Sequence, residues 1–152
     1  MYIEDLKPWL AEPPNPHLFA VGWLAPGHMF ATGSCDRVFY RKLMELLQDP
    51  WQPAVSPGRH PCAFCQFTGG PAVVRFEELS VTIGTGVLFV PSDENVYVTP
   101  TMVAHYIDSH GYRPPEEFMS AVATCAPMRS IQYFRALKSY GIGPTHGVGG
   151  QR

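Results

Sequence analysis

Charged residues are scarce in this sequence. Aspartate, glutamate, lysine and arginine make up 16% of its 152 residues, and 11 basic against 13 acidic residues leave a net charge of −2. A typical globular protein is about one-quarter charged. Binding to DNA or RNA depends on a basic surface that neutralises phosphates, and this composition does not supply one. The sequence therefore argues against a nucleic-acid partner.

Long apolar runs are also missing. No stretch approaches the roughly 18 apolar residues that suggest a membrane-spanning helix. Residues 1–7 include two acids, whereas a secretory leader begins with basic residues and continues with an apolar run. We therefore expect a soluble, cytoplasmic protein with no membrane partner.

Cysteine is limited to four residues. Two disulfides could be built from them, but disulfide frameworks are typical of small secreted chains. Cys35 and Cys125 stand alone in the sequence and are interpreted as small apolar core residues. Cys62 and Cys65 lie close together, and in a reducing compartment both thiols stay free to bind a metal ion.

Turn-forming residues, in contrast, are abundant. The chain has 16 prolines and 14 glycines, which favour short elements over long helices. Its length suits one domain. We predict a single α+β domain over residues 1–140, followed by a flexible glycine-rich tail over residues 141–152.

Short runs of branched and aromatic residues predict the strands. Turn residues separate the last three runs, which favours an antiparallel meander. The predicted architecture is a short antiparallel sheet of four or five strands with helices packed on one side. The runs lie at residues 17–24, 73–76, 80–83, 87–90 and 96–98.

Four helices are predicted from apolar periodicity and end signals. The third and fourth begin near residues 114 and 130, and Ile131, Phe134 and Leu137 are expected to be the buried face of the last one. The first begins at Ser34 or Asp36 and ends near residue 49. The second carries two histidines, with Thr99 as its N-cap, Pro100 in its first turn and Gly111 just past its end.

Two pairs of metal-binding residue types are the most informative motif. Cys62 and Cys65 enclose two residues, and His105 and His110 enclose four. Two thiolates and two imidazoles form a ligand set that a closed tetrahedral zinc site uses. The sequence therefore predicts that Zn²⁺ joins the loop before the sheet to the helix after it.

The spacing of the histidines constrains this site. Five residues of an ideal helix separate two side chains by about 140° around the axis, too far for one ion. His110 precedes Gly111, however, where a helix can unwind and turn the ring toward His105. His60 is an alternative ligand or a residue that supports one, since it lies two positions before Cys62.

Three functions compete for such a site. A structural zinc ion in a binding or interaction module is favoured, because four ligands fill the tetrahedron and no catalytic or other cofactor-binding residues stand out. A zinc-dependent hydrolase would need an open metal position, with Asp108, Glu116 or Glu117 as base. A thiol redox switch would use Cys62 and Cys65.

One further enzyme class can be tested against the sequence. A zinc deaminase is excluded, because its signature needs a glutamate two residues after a histidine and neither His17 nor His28 has one.

The stretch from Tyr112 to Pro115 could present a rigid edge to a protein partner. Alternatively, the aromatic residues of this region pack over the metal ion.

The motifs together resemble a family of small, uncharacterised bacterial proteins. The resemblance is carried by residues 58–65, with the pattern HxCxxC, by residues 96–100, and by residues 105–118, with the pattern HYxxxHxYxPPxxF. It covers about the middle two-thirds of the chain. The resemblance implies a shared zinc-linked fold and assigns no reaction.

Overall fold

The structure, a computed structural model, describes residues 1–53 and 58–144. Five strands and four helices occur in these residues, so the predicted α+β class is confirmed. None of these helices is long and apolar enough to cross a membrane. The elements are β1 (Leu18–Ala20), α1 (Arg37–Leu46), β2 (Val73–Phe76), β3 (Leu79–Thr82), β4 (Val87–Pro91), β5 (Val96–Pro100), α2 (Val103–His110), α3 (Glu116–Thr124) and α4 (Ile131–Lys138).

Strand β5 is the centre of a three-stranded mixed sheet. It pairs antiparallel with β4 and parallel with β1, and it is buried along almost its whole length. Strands β2 and β3 form a separate antiparallel hairpin. The prediction of an antiparallel meander is therefore wrong for β3, and the main sheet is mixed. The chain leaves β3 through Gly84 and Gly86, whose φ values of 85° and 82° redirect it to the other sheet.

Helix α1 packs its apolar stripe into the core, as its periodicity predicts. Phe39, Leu43 and Leu46 are all buried. Phe39 meets Phe118 of α3 edge-on, with ring centroids 6.3 Å apart. Each fully buried aliphatic or aromatic side chain of this kind stabilises the fold by about 1.5–3 kcal/mol. This contact joins α1 to α3, which in turn contacts β4.

Helix α2 begins later than predicted. Thr99 and Pro100 are not its N-cap and first turn, because they pair with Leu88 and Val87 and complete β5. The helix starts at Val103. Pairing across the sheet thus overrides a local capping signal, and it places α2 directly after the central strand.

Helix α4 begins where the sequence predicts. The Ser130 hydroxyl accepts a hydrogen bond from the backbone N–H of Tyr133 at 3.1 Å, which caps the helix. The buried face is that of Tyr133 and Leu137, whereas Ile131 is 71% exposed, so the prediction that Ile131 is buried is wrong. Of the predicted tail, residues 145–152 lie outside the described residues.

Candidate metal centre

The two cysteines lie in a tight loop that backbone hydrogen bonds close. The N–H of Cys65 donates to the carbonyl oxygen of Cys62 at 3.2 Å, and the N–H of Gly69 donates to that of Cys65 at 2.8 Å. The N–H of Cys62 donates in return to the carbonyl oxygen of Gly69 at 2.6 Å. This loop turns both sulfur atoms toward the same side, as a zinc knuckle requires.

Gly70 is required where the chain leaves the loop. Its φ is 84°, a value that side-chain-bearing residues rarely adopt. A methyl group added here would lie 2.9 Å from the Cβ of Cys62 and 3.5 Å from the Nε2 of His105. Gly70 therefore provides both the turn and the room for the ligand side chains.

The two histidines come from the last turns of α2. The N–H of Gly111 bonds to the carbonyl oxygen of Tyr106, five residues back, and the N–H of Tyr112 reaches the same oxygen at 3.2 Å. Such bonds are wider than the four-residue bonds of an α-helix. The expanded turn brings His110 round toward His105, and their Nε2 atoms lie 3.2 Å apart.

The four side chains converge on one point. The ligand atoms of Cys62, Cys65, His105 and His110 all lie within 4.8 Å of one another and could hold a metal ion. Sulfur–nitrogen distances are 3.4 Å for Cys65 and His105, 3.5 Å for Cys62 and His110, and 3.6 Å for Cys65 and His110.

These spacings can be compared with a zinc tetrahedron. Zn–N bonds of about 2.0–2.1 Å and Zn–S bonds of about 2.3 Å give N···N edges of about 3.3 Å and N···S edges of about 3.6 Å. The distance of 3.2 Å between the two Nε2 atoms and the three sulfur–nitrogen distances match those edges within 0.2 Å. The donor set and its spacing therefore fit a tetrahedral ion.

The electrostatics of the cluster favour a cation. Burial raises the pKa of the Cys62 thiol, and the backbone N–H of Phe64, which bonds to this sulfur, opposes the rise. Burial, together with the nearby His110, lowers the pKa of His105, which favours the neutral imidazole that a metal ligand requires. A divalent cation at the centre would supply the positive charge that a buried thiolate needs.

Aromatic rings cover the centre. The Phe64 ring lies 5.3 Å from that of His110 and 5.8 Å from that of Tyr106, which is buried. Phe30 packs edge-on against Phe64 at 5.7 Å and against Tyr112 at 6.0 Å. Aromatic residues therefore pack against the ligands, but the rings that do so include Phe64, which the sequence interpretation did not name. An apolar cover of this kind limits the access of water to the ligands.

The prediction that the stretch from Tyr112 to Pro115 presents an edge to a protein partner is wrong for Tyr112. Its side chain is 0% exposed, and its hydroxyl donates a 2.7 Å hydrogen bond to Asp5. Pro114 is buried as well, and the guanidinium of Arg113 bonds to Glu116. Asp5 also accepts from the N–H of Gly22 at 2.9 Å, so it connects the first residues of the chain to the end of α2.

The remaining candidates lie outside the cluster. His60 is exposed and is absent from the group of converging ligands; its backbone N–H donates to the carbonyl oxygen of Gly84 at 2.7 Å. Asp108, Glu116 and Glu117 are all exposed, and none joins the group. Sequence reasoning missed Phe30 and Phe64. Phe30 has no local signal in the sequence, and the one signal for Phe64 is its position between the two cysteines.

Comparison with known proteins gives one finding. Residues 1–123, which include all four clustered residues, match a family described as a domain of unknown function, DUF7919. No curated protein and no solved structure matches the chain significantly. The match covers β1 through most of α3, so the metal centre lies within it.

Proposed function

We propose that this chain, which belongs to the DUF7919 family of domains of unknown function, binds one structural Zn²⁺. The ligands are Cys62, Cys65, His105 and His110. We also propose that the domain serves as a non-catalytic binding or interaction module. The observation that carries the proposal is the convergence of two sulfur and two nitrogen atoms at tetrahedral spacing. Zinc suits this mixed donor set better than the hard cations, which prefer oxygen.

The proposed ion acts by joining distant parts of the chain. The knuckle precedes the β2–β3 hairpin, whereas the histidines follow the central strand β5. Because the ligands assemble only in the folded chain, the free energy of metal binding contributes to folding, on the order of 10 kcal/mol for structural zinc. Thiolate ligands also need reduced cysteines, so the cytoplasm remains our proposed location.

Elemental analysis and X-ray absorption test the proposal directly. We expect one zinc per chain and a zinc edge fitted by two sulfur and two nitrogen neighbours. A light-atom ligand from water in place of a protein ligand would instead support the zinc-dependent hydrolase, because hydrolysis needs an open position. A protein purified under reducing conditions without metal, with Cys62 and Cys65 readily and reversibly oxidised, would support the redox switch.

The assignment of His110 over His60 has its own test. His110→Ala removes a proposed ligand and should lower zinc affinity by at least about 10-fold. His60→Ala removes an exposed ring outside the cluster and should leave the zinc content at one per chain. Competition with a chromogenic chelator measures both. If the two variants lost zinc equally, the ligand set would have to be revised.

A further inference from the structure

A cavity of about 460 Å³ adjoins the proposed zinc site and has no part in holding the ion. Pro61 and Ala63, on either side of Cys62, contribute to its wall, and so does Tyr106 of α2. The lining of the cavity also includes Met1, Trp9 and residues 22–25, the segment after β1. Its volume falls within the range of about 300–1,000 Å³ that is common for small-molecule sites.

Four of the described residues that line the cavity carry a Trp, Phe or Tyr ring, namely Trp9, Trp23, Phe89 and Tyr106. Trp9 and Trp23 lie with their ring centroids 6.2 Å apart, and Phe89 meets Trp9 edge-on at 6.1 Å. The indole N–H of Trp23 donates to the carbonyl oxygen of Val98 at 2.9 Å, which fixes that ring against β5. Fixed aromatic walls favour a flat, apolar ligand body, because such a body replaces water over a large area.

The polar groups in the cavity favour a neutral ligand with a hydrogen-bond acceptor. The described lining has no aspartate, glutamate, lysine or arginine side chain, and its other cationic candidates, the amino group of Met1 and the ring of His60, belong to exposed residues. The side-chain oxygen of Gln52 accepts from the N–H of Val87 at 3.2 Å. This bond orients the amide and leaves its NH₂ group as a donor, with no acceptor among the described residues.

Two other polar side chains of the lining offer a ligand no free donor. The indole N–H of Trp9 has no hydrogen-bond partner in the part of the chain that the structure describes, but this atom is completely buried and so exposes almost no surface to the cavity. The hydroxyl of Thr101 already donates to the carbonyl oxygen of Thr85 at 2.8 Å.

We propose that this cavity binds a neutral, flat, largely apolar small molecule that carries one carbonyl-type acceptor, received by the NH₂ group of Gln52. This binding activity goes beyond the proposed zinc role. For the cavity, the zinc ion would only fix the position of the loop that carries Pro61 and Ala63. The zinc site and the cavity therefore make separate predictions, and each can fail without the other.

Titration of the zinc-loaded protein with 6-propionyl-2-dimethylaminonaphthalene tests the proposal. This neutral dye has a flat apolar body and one ketone, and its emission shifts to the blue in apolar surroundings. We expect saturable 1:1 binding in the micromolar range. The matched anion 6-dimethylaminonaphthalene-2-sulfonate keeps the ring and its substitution positions and replaces the ketone by a charge. It should bind at least about 10-fold more weakly, because no lysine or arginine side chain lines the described part of the cavity.

Two cavity variants locate the dye. Ala25→Trp fills the cavity from a half-buried position in its wall and should weaken dye binding by at least about 10-fold. Ala123→Trp makes the same change on an exposed face of α3, outside the cavity, and should leave the affinity within about twofold. Gln52→Glu keeps an acceptor for the N–H of Val87 but removes the donor, and it should weaken binding several-fold.

Zinc content and circular dichroism are measured for every variant, so that loss of folding is distinguished from loss of the cavity. Equal binding of the two dyes, or wild-type affinity in Ala25→Trp, would overturn the proposal. Wild-type affinity in Gln52→Glu would overturn the assignment of the acceptor contact. Normal zinc content without dye binding would refute the cavity site alone, whereas dye binding without zinc would refute only the metal proposal.

Discussion

Two regions of the molecule are stabilised in different ways: the knuckle loop, residues 58–69, and the central sheet. From residue 58 to residue 69, Cys62 is the one fully buried residue and Phe67 is 99% exposed. Strands β4 and β5, in contrast, are buried at nearly every position; α3 and α4 pack against β4, and Phe118 of α3 contacts Tyr97 of β5. Apolar burial therefore stabilises the sheet. The knuckle has little apolar surface to bury, so its position depends on its ligands and on a few backbone hydrogen bonds.

The largest effect should come from removing a zinc ligand. Cys62→Ser and His105→Ala should each abolish stoichiometric zinc binding and lower the melting temperature by more than about 10 °C, because the metal's contribution to folding is lost. Cys35→Ser changes a cysteine outside the cluster and should retain zinc. Differential scanning calorimetry with elemental analysis measures both quantities.

The same variants separate the two regions. After zinc removal, hydrogen exchange should accelerate first in residues 58–70 and last in β4 and β5. An unchanged melting temperature in a protein that has lost its zinc would contradict a structural role for the ion. Simultaneous loss of protection in both regions would show that the sheet depends on zinc as well.

A core substitution should produce the reverse pattern. Leu43 is 0% exposed on the buried face of α1, so Leu43→Ala should lower the free energy of unfolding by about 2–5 kcal/mol while the chain still binds one zinc. Val38→Ala, on the same helix but 72% exposed, should change it by less than about 0.5 kcal/mol. Urea denaturation measures both. If Leu43→Ala lost zinc at native conditions, the two regions would not be independent.

A smaller effect is expected at the glycine behind the ligands. Gly70→Ala introduces a methyl group 2.9 Å from the Cβ of Cys62, in addition to strain at a φ of 84°. Gly58→Ala has nearly the same strain, at a φ of 79°, but no residue that the structure describes lies within 4 Å of the added atom. Zinc affinity should therefore fall by about 10-fold in Gly70→Ala and stay near wild type in Gly58→Ala. Equal losses would mean that the crowding around Cys62 has no effect on the site.

The smallest effect should be electrostatic and come from an ion pair outside both regions, between Arg41 of α1 and Glu78. Hydrogen bonding to the Arg41 guanidinium lowers the pKa of Glu78 from 4.5 to about 2. The unfolded chain then binds more protons than the folded chain between these values, so the contribution of the pair is present above pH 4.5 and is lost as the pH falls toward 2. Glu78→Gln should be slightly less stable than wild type at pH 6, with the difference vanishing near pH 2. A difference that grew on acidification would contradict this sign.

How far the sequence predicts the structure depends on the range of each signal. The burial of Phe39 and Leu43 follows from the local period of α1 and was predicted correctly. The start of α2 was not, because the pairing of Thr99 with Leu88 lies outside any local signal. Likewise, the buried hydroxyl of Tyr112 donates a hydrogen bond to Asp5, a partner from the other end of the chain that no local signal indicates.

The candidate site was easier to predict than the sheet. Ligand chemistry restricts which residues can share an ion, so the cysteine and histidine pairs could be recognised from spacing alone. The doubtful step was the five-residue separation of His105 and His110. The wide hydrogen bonds to the carbonyl oxygen of Tyr106 show how the chain overcomes it. The cavity, built from segments far apart in sequence, had no local signal.

The parallel pairing of β1 with β5 affects the order in which the chain can fold during its synthesis. A nascent chain grows at about 5–20 residues per second, so Leu18 leaves the ribosome several seconds before its partner Val96 exists. The α1 helix and the β2–β3 hairpin can form locally in that interval, whereas β1 can hydrogen-bond only to earlier residues, chiefly residues 6–9, until β5 is made. Pairings between such distant residues slow folding. We therefore expect β1 to join the main sheet last. It can pair with β5 only after that strand, which lies about eighty residues later in the chain, has been made.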